Sequence, residues 1–218
     1  MGSITRSLAN NITTSGVILP AGITNSSVSA VTSFANASGG TLILLSTQTA
    51  SNSATISFTT GLDSTYDAYE FHFINCHNRS GSAGFSFNAS TDSGSNYNVT
   101  KTTATFSAEH SEADATGLSY ITSFDIAQGT GFQQLGYGDG STDADGSLSG
   151  TLTLFNPSST TYVKHFICTA NQMTWVPISE NAFTSGYFNT TSAINAIRFQ
   201  ATVGNFDGDI KLYGVKKS

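Results

Sequence analysis

The chain has 218 residues, of which 38% are hydrophobic, 11% aromatic and only 10% charged, and its net charge is −6 at pH 7. This composition suits the core of one sandwich or barrel domain and argues against charge-driven disorder, helical bundles and coiled coils. An acidic chain with eight Lys and Arg residues also argues against nucleic-acid binding, which needs cation clusters to displace phosphate counterions.

Residues 1–39 are predicted to form an extended N-terminal arm, because they contain one charge, Arg6, and neither Tyr nor Trp. No apolar segment typical of a secretory signal follows Arg6, and no run of residues is long enough to span a membrane. Short apolar pieces of such an arm can lie against a larger body or a neighbouring subunit. The candidate partner-binding residues are Arg6, Val17, Ile18, Leu19 and Ile23. A disordered leader is the alternative interpretation.

From residue 40 onward, short segments alternate apolar residues with Ser or Thr and end in clusters of Gly, Asn, Asp or Ser. This spacing is typical of an all-β domain over residues 40–218. Tyr69, Phe71 and Phe73 follow a period of two and should share one sheet face. Phe85 and Phe87 repeat the pattern, and a Thr-rich strand is predicted at 97–106.

The second half of the chain predicts two hairpins. The first joins a strand at 148–154, with one buried and one wet face, to a strand at 162–168 that alternates apolar residues on both faces. Such a strand is expected to be covered on both sides, which makes this hairpin central. The second predicted hairpin joins 197–203 to 210–214 through a turn at 204–208.

The predicted fold is therefore an antiparallel β-sandwich of jelly-roll type with an extended N-terminal arm. An immunoglobulin-like sandwich is the alternative, although its framework of Cys and Trp residues is missing.

Two cysteines, Cys76 and Cys168, lie in alternating apolar segments, where a free buried thiol is the ordinary case. His72 and Cys76 would share a face of one strand. Positions four apart in a strand are separated by about 13 Å, which is too far for one zinc ion, so we interpret both as core residues.

Two acidic segments are candidate metal sites. The segment 109–114 places His110 among carboxylates, but neighbouring side chains of an extended chain point to opposite faces, so a solvated loop is the simpler interpretation. The segment 139–146 alternates acidic residues as calcium loops do, but lacks their glycine and closing glutamate, so a hairpin turn is the alternative. No metal or other cofactor is predicted.

No nucleophile elbow, phosphate-binding loop or zinc-protease motif occurs, and only Glu70 lies within an aromatic-rich strand. We therefore expect no catalysis; a hydrolase would need a pair of carboxylates that the pattern does not supply. Trp175 and Tyr187 could form a platform on which sugars stack, or they could be core aromatics.

The shortage of charge is the most informative feature for function. Free soluble domains keep about a quarter to a third of their surface charged, whereas protein interfaces are depleted of Lys and Glu and enriched in aromatics. We therefore expect an oligomer or a component of a shell.

Several motifs carry a resemblance to a known group of proteins. They are SITRSLANNIT at 3–13, LILLST at 42–47, GLDSTY at 61–66 with YEF at 69–71, SGTLTLFNP at 149–157 and IKLYG at 210–214. Together they resemble structural proteins of tailed bacteriophages from marine bacteria over nearly the whole chain. Because these motifs mark strands and turns, the resemblance transfers no functional residue.

The resemblance implies a β-sandwich component of the virion, made in the host cytoplasm. Our first hypothesis is a capsid decoration, or cement, protein: a homotrimer whose partners are the major capsid protein and its own copies. The alternative is a tail or tail-fibre module that binds a receptor or host surface glycan through Trp175 and Tyr187. A fibre would usually add a repetitive shaft or coiled coil, and neither is visible.

Overall fold

The computed structural model describes residues 12–13, 16–17, 41–81, 83–136, 145–174 and 176–216. The chain divides into two compact units, Met1–Gly39 and Gly40–Ser218. In the first unit, β1 (Ile12–Thr13) pairs antiparallel with β2 (Gly16–Val17).

The second unit contains a large antiparallel sheet of eight strands. In spatial order these are β3 (Leu42–Ser53), β14 (Phe206–Val215), β5 (Ala68–Asn78), β10 (Leu148–Phe155), β11 (Lys164–Met173), β12 (Ile178–Phe188), β7 (Lys101–Ser111) and β8 (Thr116–Tyr120). The predicted Thr-rich strand is β7, which begins at Lys101 rather than at residue 97.

A smaller antiparallel sheet has four strands. In spatial order these are β4 (Thr55–Phe58), β13 (Ala196–Ala201), β6 (Phe85–Ser90) and β9 (Gln133–Gln134). A single 3₁₀ turn, Thr122–Phe124, interrupts the strands, and the described residues contain no α-helix. The predicted all-β sandwich of antiparallel sheets is confirmed. Jelly-roll connectivity is not confirmed. A jelly roll distributes eight strands over two sheets, whereas here the large sheet alone has eight strands and the small sheet has four.

The core lies between the two sheets and is rich in phenylalanine. Phe199 of β13 is at its centre, with its ring centroid 5.2 Å from that of Phe71 and 5.1 Å from that of Phe73. Tyr69, Phe71 and Phe73 are all buried, which confirms that they share the inner face of β5. Full burial of each aromatic side chain contributes about 1.5–3 kcal/mol to stability.

The predicted C-terminal hairpin is wrong, because β13 belongs to the small sheet and β14 to the large one. The connection turns a corner at Gly204, whose φ of 70° lies in the left-handed region that glycine adopts at little cost. Phe206, which was predicted to lie in the hairpin turn, is instead a fully buried residue of β14. The strands β3 and β4 divide between the two sheets in the same way.

The hairpin of β10 and β11 lies in the middle of the large sheet, as predicted. Burial alternates strictly along β11, so only one face is covered, and Ile167 on the other face is 54% exposed. The expectation that this strand is covered on both sides is therefore wrong for a single copy of the chain. The exposed apolar side chain of Ile167 on that outer face is not explained by burial within one copy.

Candidate interaction surface

Five apolar or aromatic side chains emerge together on the outer side of the large sheet, across β11, β12, β7 and β8. We call them the outer patch: Ile167, Phe183, Phe106, Tyr120 and Leu118. Phe106 is 45% exposed, Tyr120 60% and Leu118 75%. Large apolar side chains that cluster in this way on a surface mark an interaction site more often than single exposed ones do.

The strand register brings the outer patch together. Phe183 lies directly opposite Phe106 in the pairing of β12 with β7, and Tyr120 lies opposite Phe106 in the pairing of β7 with β8. The Phe106 and Phe183 rings stack at 4.8 Å with an interplanar angle of 12°. Cross-strand aromatic pairs of this kind contribute about 0.2–1 kcal/mol and hold the patch in a fixed shape.

The outward positions around the outer patch on β11, β12 and β7 are Ala or His or carry hydroxyl or amide groups. They are His165, Thr169 and Asn171 on β11, Asn181, Ser185 and Tyr187 on β12, and Thr102, Ala104 and Ala108 on β7. None of these outward positions is Asp, Glu, Lys or Arg. One carboxylate reaches the edge of the patch, since the Tyr120 hydroxyl donates to Asp125 Oδ2 at 2.5 Å. A partner can cover the rest of these outward positions without desolvating a carboxylate, a lysine or an arginine.

The outer patch includes a pocket of about 260 Å³. Phe106, Ile167, Phe183 and Ser185 line it, and Cys168 contributes to its lining. Cys168 is 1% exposed, and burial raises the pKa of its thiol, so the sulfur stays protonated and unreactive. The pocket can therefore accommodate an apolar side chain but provides no thiolate nucleophile.

The carboxylate cluster of 109–114 lies at the turn between β7 and β8. The His110 Nε2 atom is 3.1 Å from the Asp114 Oδ1 atom, and Asp114 is almost fully exposed at the turn. His110, Glu112 and Asp114 border a second, more polar depression of about 520 Å³, together with Asn171. Within the described residues, no three His, Cys, Asp or Glu side chains are close enough to hold a metal ion.

A bulge in β5 overturns the prediction that His72 and Cys76 share a face. Asn75 has a φ of 51°, and the pairing with β10 shifts at this point. Cys76 consequently joins the core, where burial raises the pKa of its thiol to about 12. His72 lies on the outer face instead, with its Nε2 atom 2.9 Å from Glu70 Oε2. It is not the core histidine that we expected. Cys76 and Cys168 are both free.

Two buried lysines are the polar feature that sequence reasoning missed. Lys101 and Lys164 are both fully buried and lie opposite Phe188 from either side in the sheet register. Lys101 Nζ donates to the carbonyl oxygen of Gly131 at 2.5 Å, and Lys164 Nζ donates to that of Thr190 at 3.1 Å. Desolvation lowers the pKa of Lys101 to about 8 and lowers that of Lys164 as well. Lys164 shares the parity of Phe166 and Cys168, a signal that could have been read from the sequence.

The candidate glycan platform is only partly visible. Tyr187 is half-buried, its ring centroid lies 6.1 Å from that of His165, and its hydroxyl accepts a 3.4 Å hydrogen bond from Gln128 Nε2. Trp175 lies outside the described residues, so the structure does not bring the predicted pair together.

Most of the candidate arm residues also lie outside the described part of the chain: Arg6, Ile18, Leu19 and Ile23. For Val17 the structure gives only its backbone position in β2, opposite Ile12. The acidic segment 139–146 is described only at Asp145 and Gly146, and the Gly146 carbonyl oxygen lies 2.6 Å from His77 Nδ1.

Comparison of the chain with protein-family models, with curated proteins and with solved structures finds no match. No helix among the described residues is long and apolar enough to cross a membrane.

Proposed function

We propose that the chain is a non-enzymatic structural subunit of a tailed-phage virion, a capsid decoration protein that binds and stabilises the head shell as an oligomer. The observation that carries the proposal is the outer patch, an exposed apolar surface whose neighbouring outward positions on β11, β12 and β7 carry no formal charge.

This surface has the composition of an interface core. Interface cores are depleted of charged residues and enriched in Phe and Tyr, whereas a free surface usually intersperses Lys and Glu with apolar residues. In water, the exposed fractions of Ile167, Phe106 and Leu118 would favour association with any complementary surface. A subunit that is permanently covered in an assembly has no need of surface charge for solubility.

The assignment to a virion rests on the resemblance of the strand and turn motifs to phage structural proteins. In this proposal the arm of residues 1–39, with Arg6, Val17, Ile18, Leu19 and Ile23, binds the major capsid protein. The state of the two thiols is in keeping with a structural role, since both are buried and protonated and cannot act as nucleophiles.

The test is quantitative mass spectrometry of purified particles, which compares the copy number of this chain with that of the major capsid protein. A ratio near one, or a simple symmetric fraction of one, is expected. A chain that is missing from the particles would overturn the proposal.

A matched deletion separates the arm from the sandwich. We expect a chain without residues 1–39 to lose attachment to particles while residues 40–218 keep their all-β circular dichroism. Attachment that survives the deletion would contradict the role proposed for the arm.

The alternative function, a glycan-binding module of the tail, is favoured by one group of side chains. Gln128 Nε2 donates to the hydroxyl groups of both Thr102 and Tyr187, and its Oε1 atom accepts from Asn189 Nδ2 at 2.6 Å. Amides and hydroxyls beside an aromatic ring are groups that can bind a sugar. A copy number of only a few per particle, with polysaccharide binding lost in Tyr187→Ala, would favour this function.

A further inference from the structure

We infer that the outer patch is a two-fold contact between two copies of this chain, in which Leu118 of each copy fills the 260 Å³ pocket of the other. This inference deepens the proposed function, on which it rests, by naming the partner of the patch as a second copy.

The outer patch contains both a projecting side chain and a cavity. Leu118 is 75% exposed on β8, the edge strand of the large sheet, and has no covering element among the described residues. The pocket lies between Ile167, Phe106 and Phe183. A cavity of about 150 Å³ lined by apolar side chains can hold benzene, so this pocket is large enough for a leucine side chain.

Leu118 does not line the pocket of its own chain; it lies diagonally across from Phe106 at the near edge and cannot reach the far end at Ser185. Leu118 lies opposite Ala108, which lies opposite Asn181, and Ser185 at the pocket is four residues further along β12. Leu118 and Ser185 are thus separated by two strand spacings across the sheet and four residues along it, and these two perpendicular components give a distance of about 16 Å. The Leu118 side chain and the pocket are on the same face of the sheet. A second copy can therefore contact both only if its own outer face packs against this one. A two-fold axis then forms both Leu118 contacts at once.

Charge favours the same chain as the partner. The chain carries a net charge of −6, so contacts through its charged faces would bring like charges together. The outward positions of β11, β12 and β7 around the outer patch hold no Asp, Glu, Lys or Arg, and Asp125, at the Tyr120 edge of the patch, is hydrogen-bonded by the Tyr120 hydroxyl. Two copies can therefore meet across the β11, β12 and β7 part of this face without bringing formal charges together, with Asp125 only at the Tyr120 edge.

The available area suits a modest homodimer. The outward faces of β10, β11, β12, β7 and β8 are continuous, and Thr151, Thr153 and Phe155 extend the uncharged surface onto β10. At about 4.8 Å per strand and 3.3 Å per residue, five strands and seven residues cover roughly 550 Å² per copy. The total of about 1,100 Å² exceeds what most adventitious contacts bury and lies at the lower end of specific interfaces.

Sedimentation equilibrium of the full chain tests the contact. The wild-type chain should approach twice the mass of 22.7 kDa as its concentration rises. Leu118→Lys and Ile167→Lys should each weaken the dimer at least tenfold, since each removes a buried apolar side chain and introduces a charge. Val203→Lys is the matched control, because Val203 is an exposed apolar residue, at 57%, outside the patch. It should leave the dimer unchanged.

A wild-type chain that stays monomeric at its highest soluble concentration would overturn the inference. A mass of three chains would also overturn it and would favour the trimer expected from the sequence. Both results leave the proposed function open to its own test, because the copy number in particles is measured separately. Conversely, a chain that dimerises in solution but is absent from particles would contradict the proposed virion function without contradicting the two-fold contact.

A double variant tests the position of Leu118. Leu118→Cys with Ser185→Cys should form a covalent dimer on mild oxidation, because the two positions meet only across the axis. Within one chain their separation of about 16 Å far exceeds the 7 Å limit for a disulfide. The native thiols are buried and should not compete. Each single cysteine variant is a control. A double variant that dimerises without cross-linking would show that Leu118 does not fill the pocket.

Discussion

Lys101 is a cation held inside the protein by carbonyl groups and an aromatic ring. Its Nζ donates to Val99 and Gly131 and lies 5.7 Å from the centroid of Phe188, and the described residues contain no ion pair that includes it. Desolvation lowers its pKa to about 8 in the folded state, whereas a lysine in an unfolded chain titrates near 10.4. The charged form therefore destabilises the fold.

The pH dependence of this effect can be measured with Lys101→Met. Below pH 8 Lys101 is protonated in both the folded and the unfolded state, so the folded state bears the full free-energy cost of burying the charge. Between about pH 8 and 10.4 only the unfolded state binds it, so the stability of the wild-type chain gains from rising pH. Urea unfolding should show that the advantage of Lys101→Met over wild type shrinks by about 2 kcal/mol between pH 7 and 10. Lys211→Met, at an outward position, is the control. A constant difference would contradict the depressed pKa.

Phe199 is the residue whose loss should most weaken the core. Its ring contacts aromatic rings of both sheets, including Phe71 of the large sheet at 5.2 Å and Phe85 of the small sheet at 5.8 Å between centroids. Phe199→Ala should lower the free energy of unfolding in urea by about 3–5 kcal/mol, because it leaves a cavity that both sheets line. Phe155→Ala, at a 39% exposed position on the outer face, should cost much less. Equal losses would contradict the central role of Phe199.

At the scale of the strands, the bulge of β5 depends on a glycine in the neighbouring strand. Gly208 of β14 has a φ of 128°, and a Cβ atom there would lie 2.8 Å from the carbonyl oxygen of Asn75 and from Cys76 Cα. Gly208→Ala should lower the free energy of unfolding by about 1–3 kcal/mol, since it adds both backbone strain and a steric clash. Gly131→Ala is the control, because its Cβ would meet nothing within 4 Å. If Gly208→Ala and Gly131→Ala lower the free energy of unfolding by the same small amount, the strands shift enough to relieve the clash at residue 208.

The strand faces could be predicted from the sequence, but the pairing of strands could not. Alternation correctly placed Phe71 and Phe73 on the inner face, because burial on one side leaves a period of two. The bulge at Asn75 adds one residue without altering the composition, so the prediction that His72 shares the face of Cys76 was wrong, although Cys76 is the free buried thiol that was expected. The turn chemistry at Gly204 serves a hairpin and a change of sheet equally well, which explains the error in pairing β13 with β14.

At the scale of the whole molecule, the sandwich should fold without the arm. Residues 40–218 form a compact unit with a hydrophobic core of its own, which extends from Ala50 to Leu212. We therefore expect residues 40–218 alone to melt within a few degrees of the full chain in a circular dichroism scan. A loss of cooperative melting would contradict the independence of the second unit.

The candidate surface was only half visible in the sequence. The apolar outer positions of β11 were recognised, but they were assigned to internal burial because a pattern does not tell which element covers a face. Phe106 and Leu118 come from strands that are distant from β11 in the chain, and only the register of the large sheet brings them, with Phe183 of the next strand, to Ile167. The prediction of a strand covered on both sides fits the proposed pair of copies better than it fits one copy.

The lack of formal charge on the outer patch also has a kinetic consequence. Steering by opposite charges accelerates protein association to about 10⁸–10⁹ M⁻¹s⁻¹, whereas uncharged surfaces meet at about 10⁵–10⁶ M⁻¹s⁻¹. Copies that meet through Ile167, Phe106 and Leu118 should therefore associate slowly when dilute, at a rate that rises with ionic strength because salt screens the repulsion between two chains of net charge −6. Dimerisation would then depend on how much chain has been synthesised: newly made chains remain monomeric at low concentration and form dimers once their concentration has risen.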